Sequence, residues 1–300
     1  MKVFIAGATG AIGKPLVKKL LAAGHEVFGM TRSNEKAESL IKQGAKPILA
    51  DAFNIEEVNS FMQGIKPDVV IEQLTSLPKE YSAETMQATD AINTKVRLVG
   101  GANIHSAAQT TGVKRYIIQS SGFFYPPGNG LADESEPFVS DAPEFTLAAA
   151  RTFEKIEKRV LSSNMDGIAL RYGFFYGPGT WYDKGKSIAN LVKQQAMPII
   201  GSGQGVWSFI HIEDAADATI AAIVNGKAGK AYNIVDDNPS EVNIWLPAYS
   251  NWLGAPPPIH IKEKDVGDPN FIYYGTKLRG ANNIKAKEQL EWNPKPLEWL

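Results

Sequence analysis

The chain opens on an apolar run, Val3-Phe4-Ile5-Ala6, that passes directly into Gly7-Ala8-Thr9-Gly10-Ala11-Ile12-Gly13. Ile12, Leu16 and Leu20 then recur at helical spacing, with Val17 and Leu21 beside them. A strand, a glycine-rich loop and a helix in that order restrict the fold sharply, because this is the unit that seats a dinucleotide against a parallel sheet. Gly7 allows the tight turn. Gly10 lets backbone N–H groups approach a pyrophosphate, and Gly13 lets the helix lie close to the strand. The helix N-terminus adds a partial positive charge beside the phosphates. The expected cofactor contacts are Gly7, Thr9, Gly10, Ala11, Ile12 and Gly13. A purely structural glycine turn is the alternative.

Strand and helix patterns alternate through the following residues. Near-continuous apolar runs predict strands over 2–6, 26–30, 46–49, 68–74, 115–120, 167–172 and 231–235. Helical spacing predicts helices over 11–23, 34–43, 54–63, about 89–111 and 144–162. Gly24, Gly44, Gly64 and Gly112 stand where C-terminal caps belong, and Asn54 with Glu57 resembles a capping box. The alternation predicts a doubly wound α/β sheet. Past residue 175, Gly177-Pro178-Gly179, Gly201-Ser202-Gly203, Asp236-Asp237-Asn238-Pro239 and Pro256-Pro257-Pro258 break the chain into short pieces. We therefore expect a dinucleotide-binding domain over 1–175, rejoined by the strand near 231–235. A smaller substrate-binding lobe, mostly 176–300, should stand over the carboxyl ends of the strands.

Composition narrows the chemistry. With 300 residues and a net charge of −1, the chain can bury a large core and carries no charge bias toward nucleic acid. No apolar stretch reaches the roughly 18 residues of a membrane span, and the first residues read as a strand rather than a signal peptide. There is no cysteine, which excludes disulfides and thiolate chemistry and fits a cytoplasmic protein. The four histidines, His25, His105, His211 and His260, are scattered, so no metal site is expected.

The end of the second strand bears on NAD against NADP. An acidic residue about 20 positions after the glycines would bind a ribose 2′-hydroxyl. This chain carries Thr31-Arg32-Ser33 there. A guanidinium at Arg32, with the Ser33 hydroxyl, can clamp a 2′-phosphate, so NADP(H) is favoured and NAD(H) is the alternative. Asp51 and Ala52, closing the third strand, are placed to reach the adenine, though Asp51 also reads as a helix N-cap. Leu74 and Tyr172, at the ends of two further strands, complete the expected cofactor contacts.

Several segments together resemble the extended short-chain dehydrogenase/reductases, which include nucleotide-sugar epimerases and dehydratases. They are Gly7/Gly10/Gly13, the Asp51 segment, Gly112-Val113-Lys114-Arg115-Tyr116 and Ser120-Ser121-Gly122-Phe123-Phe124-Tyr125. The others are Leu170-Arg171-Tyr172-Gly173-Phe174-Phe175-Tyr176-Gly177-Pro178-Gly179, Ser208-Phe209-Ile210-His211-Ile212-Glu213-Asp214 and Tyr232-Asn233-Ile234. The resemblance covers nearly the whole length and implies a Rossmann-type sheet. It also implies a serine at the end of the fifth strand, which Ser121 matches, and a tyrosine and lysine four apart on the next helix, where they share one face. In the family the tyrosine moves the substrate proton, while the lysine lowers its pKa and holds the nicotinamide ribose. That pair is missing. Counting back from Glu157 puts Phe153 at the lysine and Ala149 at the tyrosine; counting from Glu154 gives Ala150 and Thr146. The usual asparagine of the preceding helix falls on Arg97. The resemblance thus implies an atypical member.

A replacement proton donor is expected among the tyrosines. Tyr125, four residues after Ser121, is preferred, and Tyr176 is next; both also suit half-buried packing. Arg151, one turn from the missing pair, could stabilise an oxyanion or lie on the surface. Phe123, Trp181, Tyr182 and Trp207 are expected to line the substrate side, and Lys184 and Lys186 are the nearest candidates for gripping a pyrophosphate. Asp214 reads as a helix cap and His211 as a core histidine. Three functions remain open: an NADP(H)-dependent reductase of a small carbonyl compound, a nucleotide-sugar epimerase or dehydratase, and a dinucleotide-binding regulator without turnover. Family habit adds a homodimer through the helices at 89–111 and 144–162.

Overall fold

A computed structural model describes residues 1–300. Its centre is a seven-stranded sheet, built in chain order from β1 (Lys2–Ala6), β2 (Glu26–Thr31), β3 (Lys46–Leu49), β4 (Val69–Glu72), β5 (Arg115–Ser121), β6 (Asp166–Tyr172) and, much later, β11 (Lys230–Ile234). Their spatial order is β11-β6-β5-β4-β1-β2-β3, and every pairing is parallel. The order reverses beside β1, which opens a crevice at the carboxyl ends of β1 and β4. Val3, Phe4, Ile5 and Ala6 are wholly buried, as expected for a strand covered on both faces.

Helices α1 (Gly13–Ala22), α2 (Asn34–Gln43), α3 (Ile55–Ile65), α4 (Ala83–Lys95), α5 (Gly101–Thr110) and α6 (Glu144–Leu161) connect these strands. α1 turns Gly13, Pro15, Leu16, Val17 and Leu20 inward. Pro15 is tolerated in the first turn, and each buried leucine contributes about 1.5–3 kcal/mol. Ser33 caps α2 by accepting the Lys36 N–H, and Gly44 ends it at φ 92°. Asn54 caps α3 as expected, but Glu57 reaches back to the N–H of Asp51 rather than to that of Asn54. Gly64 lies inside α3, and Lys66, at φ 48°, makes the left-handed exit instead.

The single helix expected over 89–111 is two helices. α4 begins earlier, at a Ser82–Thr85 capping box, and buries none of its residues. A π-turn, Val96–Gly100, then carries the chain into α5, whose Gly101, Ile104, His105, Ala107 and Ala108 are buried. The apolar periodicity at the front of this stretch was too weak to mark α4.

Beyond β6 come β7 (Phe174–Tyr176), α7 (Ser187–Lys193), β8 (Ile199–Ile200), β9 (Val206–Trp207), β10 (Phe209–His211), α8 (Ile212–Asn225), β12 (Ser240–Glu241), α9 (Val242–Trp252), β13 (His260–Ile261), α10 (Pro269–Thr276) and α11 (Ile284–Leu290). The short strands form three two-stranded ladders, β10-β7, β12-β9 and β13-β8. α8 and α11 pack with the sheet rather than with these ladders: Lys19 of α1 pairs with Glu213 and Asp217 of α8, and Ala286 and Leu290 join the core that holds β1 and α1. No helix is long and apolar enough to cross a membrane.

Candidate active site

The glycine loop is built for close approach. Gly7 sits at φ 95°, and a Cβ there would lie 2.4 Å from the Gln73 carbonyl oxygen, across the crevice. At Gly13 a Cβ would lie 2.3 Å from the Gly7 oxygen, so the first turn of α1 rests directly on the loop. Ile12 holds the N-cap position with no side-chain cap, and Gly10 and Ala11 are exposed. The N–H groups of Ile12 and Gly13 have no partner and are free to meet phosphate oxygens, whereas that of Lys14 is taken by the Gly10 carbonyl. Leu74 and Ala52 lie together on the same side, each within contact range of a Cβ built at Gly100. Asp51 turns its carboxylate to the Phe53 N–H at 3.0 Å. Arg32 is exposed and forms no ion pair, and the Ser33 hydroxyl, as cap of α2, retains its proton to donate. This cradle fits a dinucleotide.

Tyr172 lies beneath it, in the same core cluster as Ala8 and Ile12, with its hydroxyl 3.5 Å from Nε2 of Gln73, the residue that faces Gly7. That hydroxyl also meets the Thr219 hydroxyl of α8 at 2.7 Å.

Two buried charge networks brace the strand ends beside the cradle. Glu72, the last residue of β4, accepts the Tyr116 hydroxyl at 2.5 Å and Arg159 Nη2 at 3.0 and 2.9 Å. Glu157 of α6 takes Arg171 in a two-pronged pair, Nε–Oε1 and Nη2–Oε2 both 2.8 Å, and also accepts the Ser120 hydroxyl. The second network runs on. Arg171 Nη1 donates to the Tyr125 hydroxyl at 2.9 Å, and that hydroxyl donates to Asn233 Oδ1 at 2.6 Å. Burial pushes the Tyr125 phenol up to about 12, although the adjacent Arg171 pulls the other way. With both hydroxyl contacts taken, Tyr125 ties β5 to β6 and β11. Nothing in its sequence surroundings announces a partner 108 residues away.

Tyr176 is buried between the His211 and Trp299 rings, at 5.1 and 4.8 Å, and burial raises its phenol. Arg151 lies exposed on the outer face of α6, whose inward face carries Thr146, Ala150, Phe153 and Glu157. Of the two registers for the missing pair, Thr146 and Ala150 are the positions that face inward, both wholly buried.

The space before α6 is lined by rings. Phe123 stacks on Phe174 at 4.3 Å, and Phe174 stacks on Trp207 at 4.2 Å, whose indole N–H donates to the Tyr274 carbonyl at 2.9 Å. Trp181 packs on Tyr81 and donates to the Pro78 carbonyl, so it borders the loop after β4. Tyr182 belongs instead to the lobe's aromatic core, edge-on to Phe209 and Tyr249. Lys184 and Lys186 are exposed, and Lys184 covers the Trp252 ring at 4.1 Å. Ser121 ends β5 with its Oγ buried and without a hydrogen-bond partner.

One phenol absent from the sequence-based candidates reaches α6 from the lobe. α10 docks there: Thr146 donates through its N–H and its hydroxyl to Asn270 Oδ1, at 3.2 and 2.9 Å. The Tyr274 phenol lies beside the Thr146 side chain, and its ring stands edge-on to Phe174. The spacing Tyr273-x-x-x-Lys277 was visible in this segment, but Tyr273 is buried with an unpartnered hydroxyl and Lys277 is exposed. A second such spacing, Tyr182 to Lys186, falls on turns outside any helix.

A model of the NAD dependent epimerase/dehydratase family matches residues 3–235. The chain belongs to that family. Membership in this family supports a nicotinamide cofactor. Over its full length the chain is 36% identical to a 3-diazoavenalumate denitrifying reductase from a Streptomyces species, covering 98% of that protein. It is 25% identical to a 4-hydroxy-2-methyl-3-oxo-4-farnesyl-3,4-dihydroquinoline-1-oxide ketoreductase from Stigmatella aurantiaca, over 82% of this chain and 71% of the other. Among solved structures, the dTDP-glucose 4,6-dehydratase DesIV from Streptomyces venezuelae, with NAD and TYD bound, superposes with a TM-score of 0.77 at 18% identity, covering 99% of this chain and 93% of that one. This likeness confirms the fold.

Proposed function

We propose that this family member is an NADP(H)-dependent reductase of a small, flat carbonyl compound, with Tyr274 as proton donor. One observation carries the reading. The inward positions of α6 at the required spacing are Thr146 and Ala150, so the helix holds no phenol–ammonium pair. An epimerase must take a hydroxyl proton and return it, which calls for a tuned base. A reductase needs only to deliver a proton. When bound, the dinucleotide supplies the hydride. Ser121 Oγ, free of other partners, would hold the carbonyl oxygen, and Tyr274 would protonate it as the alcohol forms. Burial raises the Tyr274 phenol and so keeps it protonated at neutral pH, the form that can donate. Arg32 would pair with the 2′-phosphate. The reductases among the relatives support this reading.

A second reading has the 36% identical reductase, named for a diazo substrate, in its favour. An aryl diazonium ion accepts hydride and leaves as arene and dinitrogen, Ar–N₂⁺ + H⁻ → Ar–H + N₂. That balance calls for no proton donor and suits an α6 without the pair.

The test is fluorescence titration with NADPH and NADH, followed by NADPH consumption with aromatic aldehydes, ketones and an aryl diazonium salt. Arg32→Ala should weaken NADPH roughly tenfold to a hundredfold and leave NADH unchanged. Tyr274→Phe should lower kcat on carbonyls and spare the diazonium. Tighter NADH than NADPH would overturn the cofactor assignment, and unchanged carbonyl turnover in Tyr274→Phe would overturn the donor.

A further inference from the structure

Arg97 is a buried cation that forms no ion pair of its own. The residue is only 6% exposed. Its Nε is buried without a hydrogen-bond partner, and the backbone carbonyl, not the guanidinium, receives Arg159 Nη1 at 3.3 Å. The nearest carboxylate, Glu72, is already occupied by Arg159 and Tyr116. What the guanidinium does touch is a ring: its central carbon lies 4.7 Å from the centre of Phe153. Burial lowers the guanidinium to about 10. The nearby Glu72 offsets this only in part, being shared with Arg159 and Tyr116, and a cation–π contact is weaker than an ion pair.

Arg97 sits in the π-turn between α4 and α5, above Glu72, where β4 ends. Phe153 lies one helical turn from Ala150, on the inward face of α6. From Phe153 the rings run on without a break: Phe124 at 5.6 Å, Phe123 at 4.7 Å from Phe124, then Phe174 and Trp207. A cation thus closes one end of an aromatic track. Its planar fork of donors matches a carboxylate in two-pronged fashion.

We propose that Arg97 binds a carboxylate of the substrate, and that the substrate is a flat, ring-bearing acid lying along Phe123 and Phe174. This rests on the reductase reading for what happens next to that acid, but the binding site can be tested without turnover. The probes are cinnamate and its neutral analogue cinnamide, titrated by calorimetry into the full-length protein saturated with NADP⁺. The wild type should bind cinnamate at least roughly tenfold more tightly than cinnamide, the scale of a charge-assisted hydrogen bond. Arg97→Met should bring cinnamate down to the level of cinnamide, and Arg97→Lys should recover part of the difference. Both variants should keep the wild-type NADPH affinity, and their thermal midpoints report folding. Equal binding of the two probes by the wild type overturns the proposal. So does full cinnamate affinity in Arg97→Met, or a loss confined to NADPH, which would assign the guanidinium to the dinucleotide. Cinnamate binding that depends on Arg97, together with no turnover of carboxybenzaldehyde, would remove the carbonyl reading and leave the carboxylate site standing.

Discussion

Glu157→Gln is the substitution whose effect the structure sets most directly. The carboxylate and the Arg171 guanidinium are almost fully enclosed, 6% and 7% exposed, and meet through two 2.8 Å contacts. Glutamine keeps the shape and removes the charge. Arg171 would then be a buried cation facing an amide, and its link to Tyr125 and Asn233 would carry that charge onward. Breaking one partner of such a pair costs about 3–5 kcal/mol. Unfolding entropy of about 2.1 cal/mol/K per residue, over 300 residues, converts this to a fall in Tm of roughly 5–8 °C. Differential scanning calorimetry at neutral pH measures it. The double variant Glu157→Leu/Arg171→Met should regain most of the loss, because an apolar pair of similar volume replaces the ions at little net cost. A Glu157→Gln protein within about 1 kcal/mol of the wild type would refute the argument that this pair is dry and unshared with solvent.

Three further expectations follow from the geometry. Gly13→Ala places a Cβ 2.3 Å from the Gly7 oxygen and 2.6 Å from Ala8 backbone atoms, which cannot yield as side chains do; it should cost about 1–3 kcal/mol in urea unfolding and weaken NADPH roughly tenfold or more. Tyr125→Phe strips a partner from both Arg171 and Asn233 and should cost about 1–3 kcal/mol while leaving kcat near wild type, as steady-state kinetics would show. Asp236 is buried with one carboxylate oxygen unpartnered, and burial pushes it from 3.8 up to about 7. Its folded-state pKa is raised, so the stability it contributes is complete below about pH 4 and is lost as pH rises through 7. Asp236→Asn should flatten that slope, a difference of up to about 4 kcal/mol between the pH extremes in urea melts.

How far the sequence spoke depended on how local the physics was. The strand at 46–49 and the helix at 34–43 fall where apolar runs, a serine cap and a left-handed glycine put them. Gly64 misled because a lysine adopted the left-handed exit two residues later. The glycine loop was legible because backbone approach depends on missing side chains, which a sequence displays. Tyr125 was not, because its role is fixed by Arg171 and Asn233, distant in the chain. Tyr274 and Arg97 mark the same boundary from the other side. One is delivered to α6 by a helix of the lobe, and the other matters through partners it lacks.

α4 has a consequence of another kind. Thirteen residues long with none buried, it is held mainly at its ends, by the Ser82 cap, by the Ser76 N–H on Asn93 and by the Tyr81 N–H on Ser187. A segment anchored this way opens at small free-energy cost, far below global unfolding. Its amide protons should exchange with deuterium orders of magnitude sooner than those of β5. Since α4 runs straight into the turn that carries Arg97, each opening loosens that turn, and a ligand held by Arg97 should slow the exchange of the helix before it.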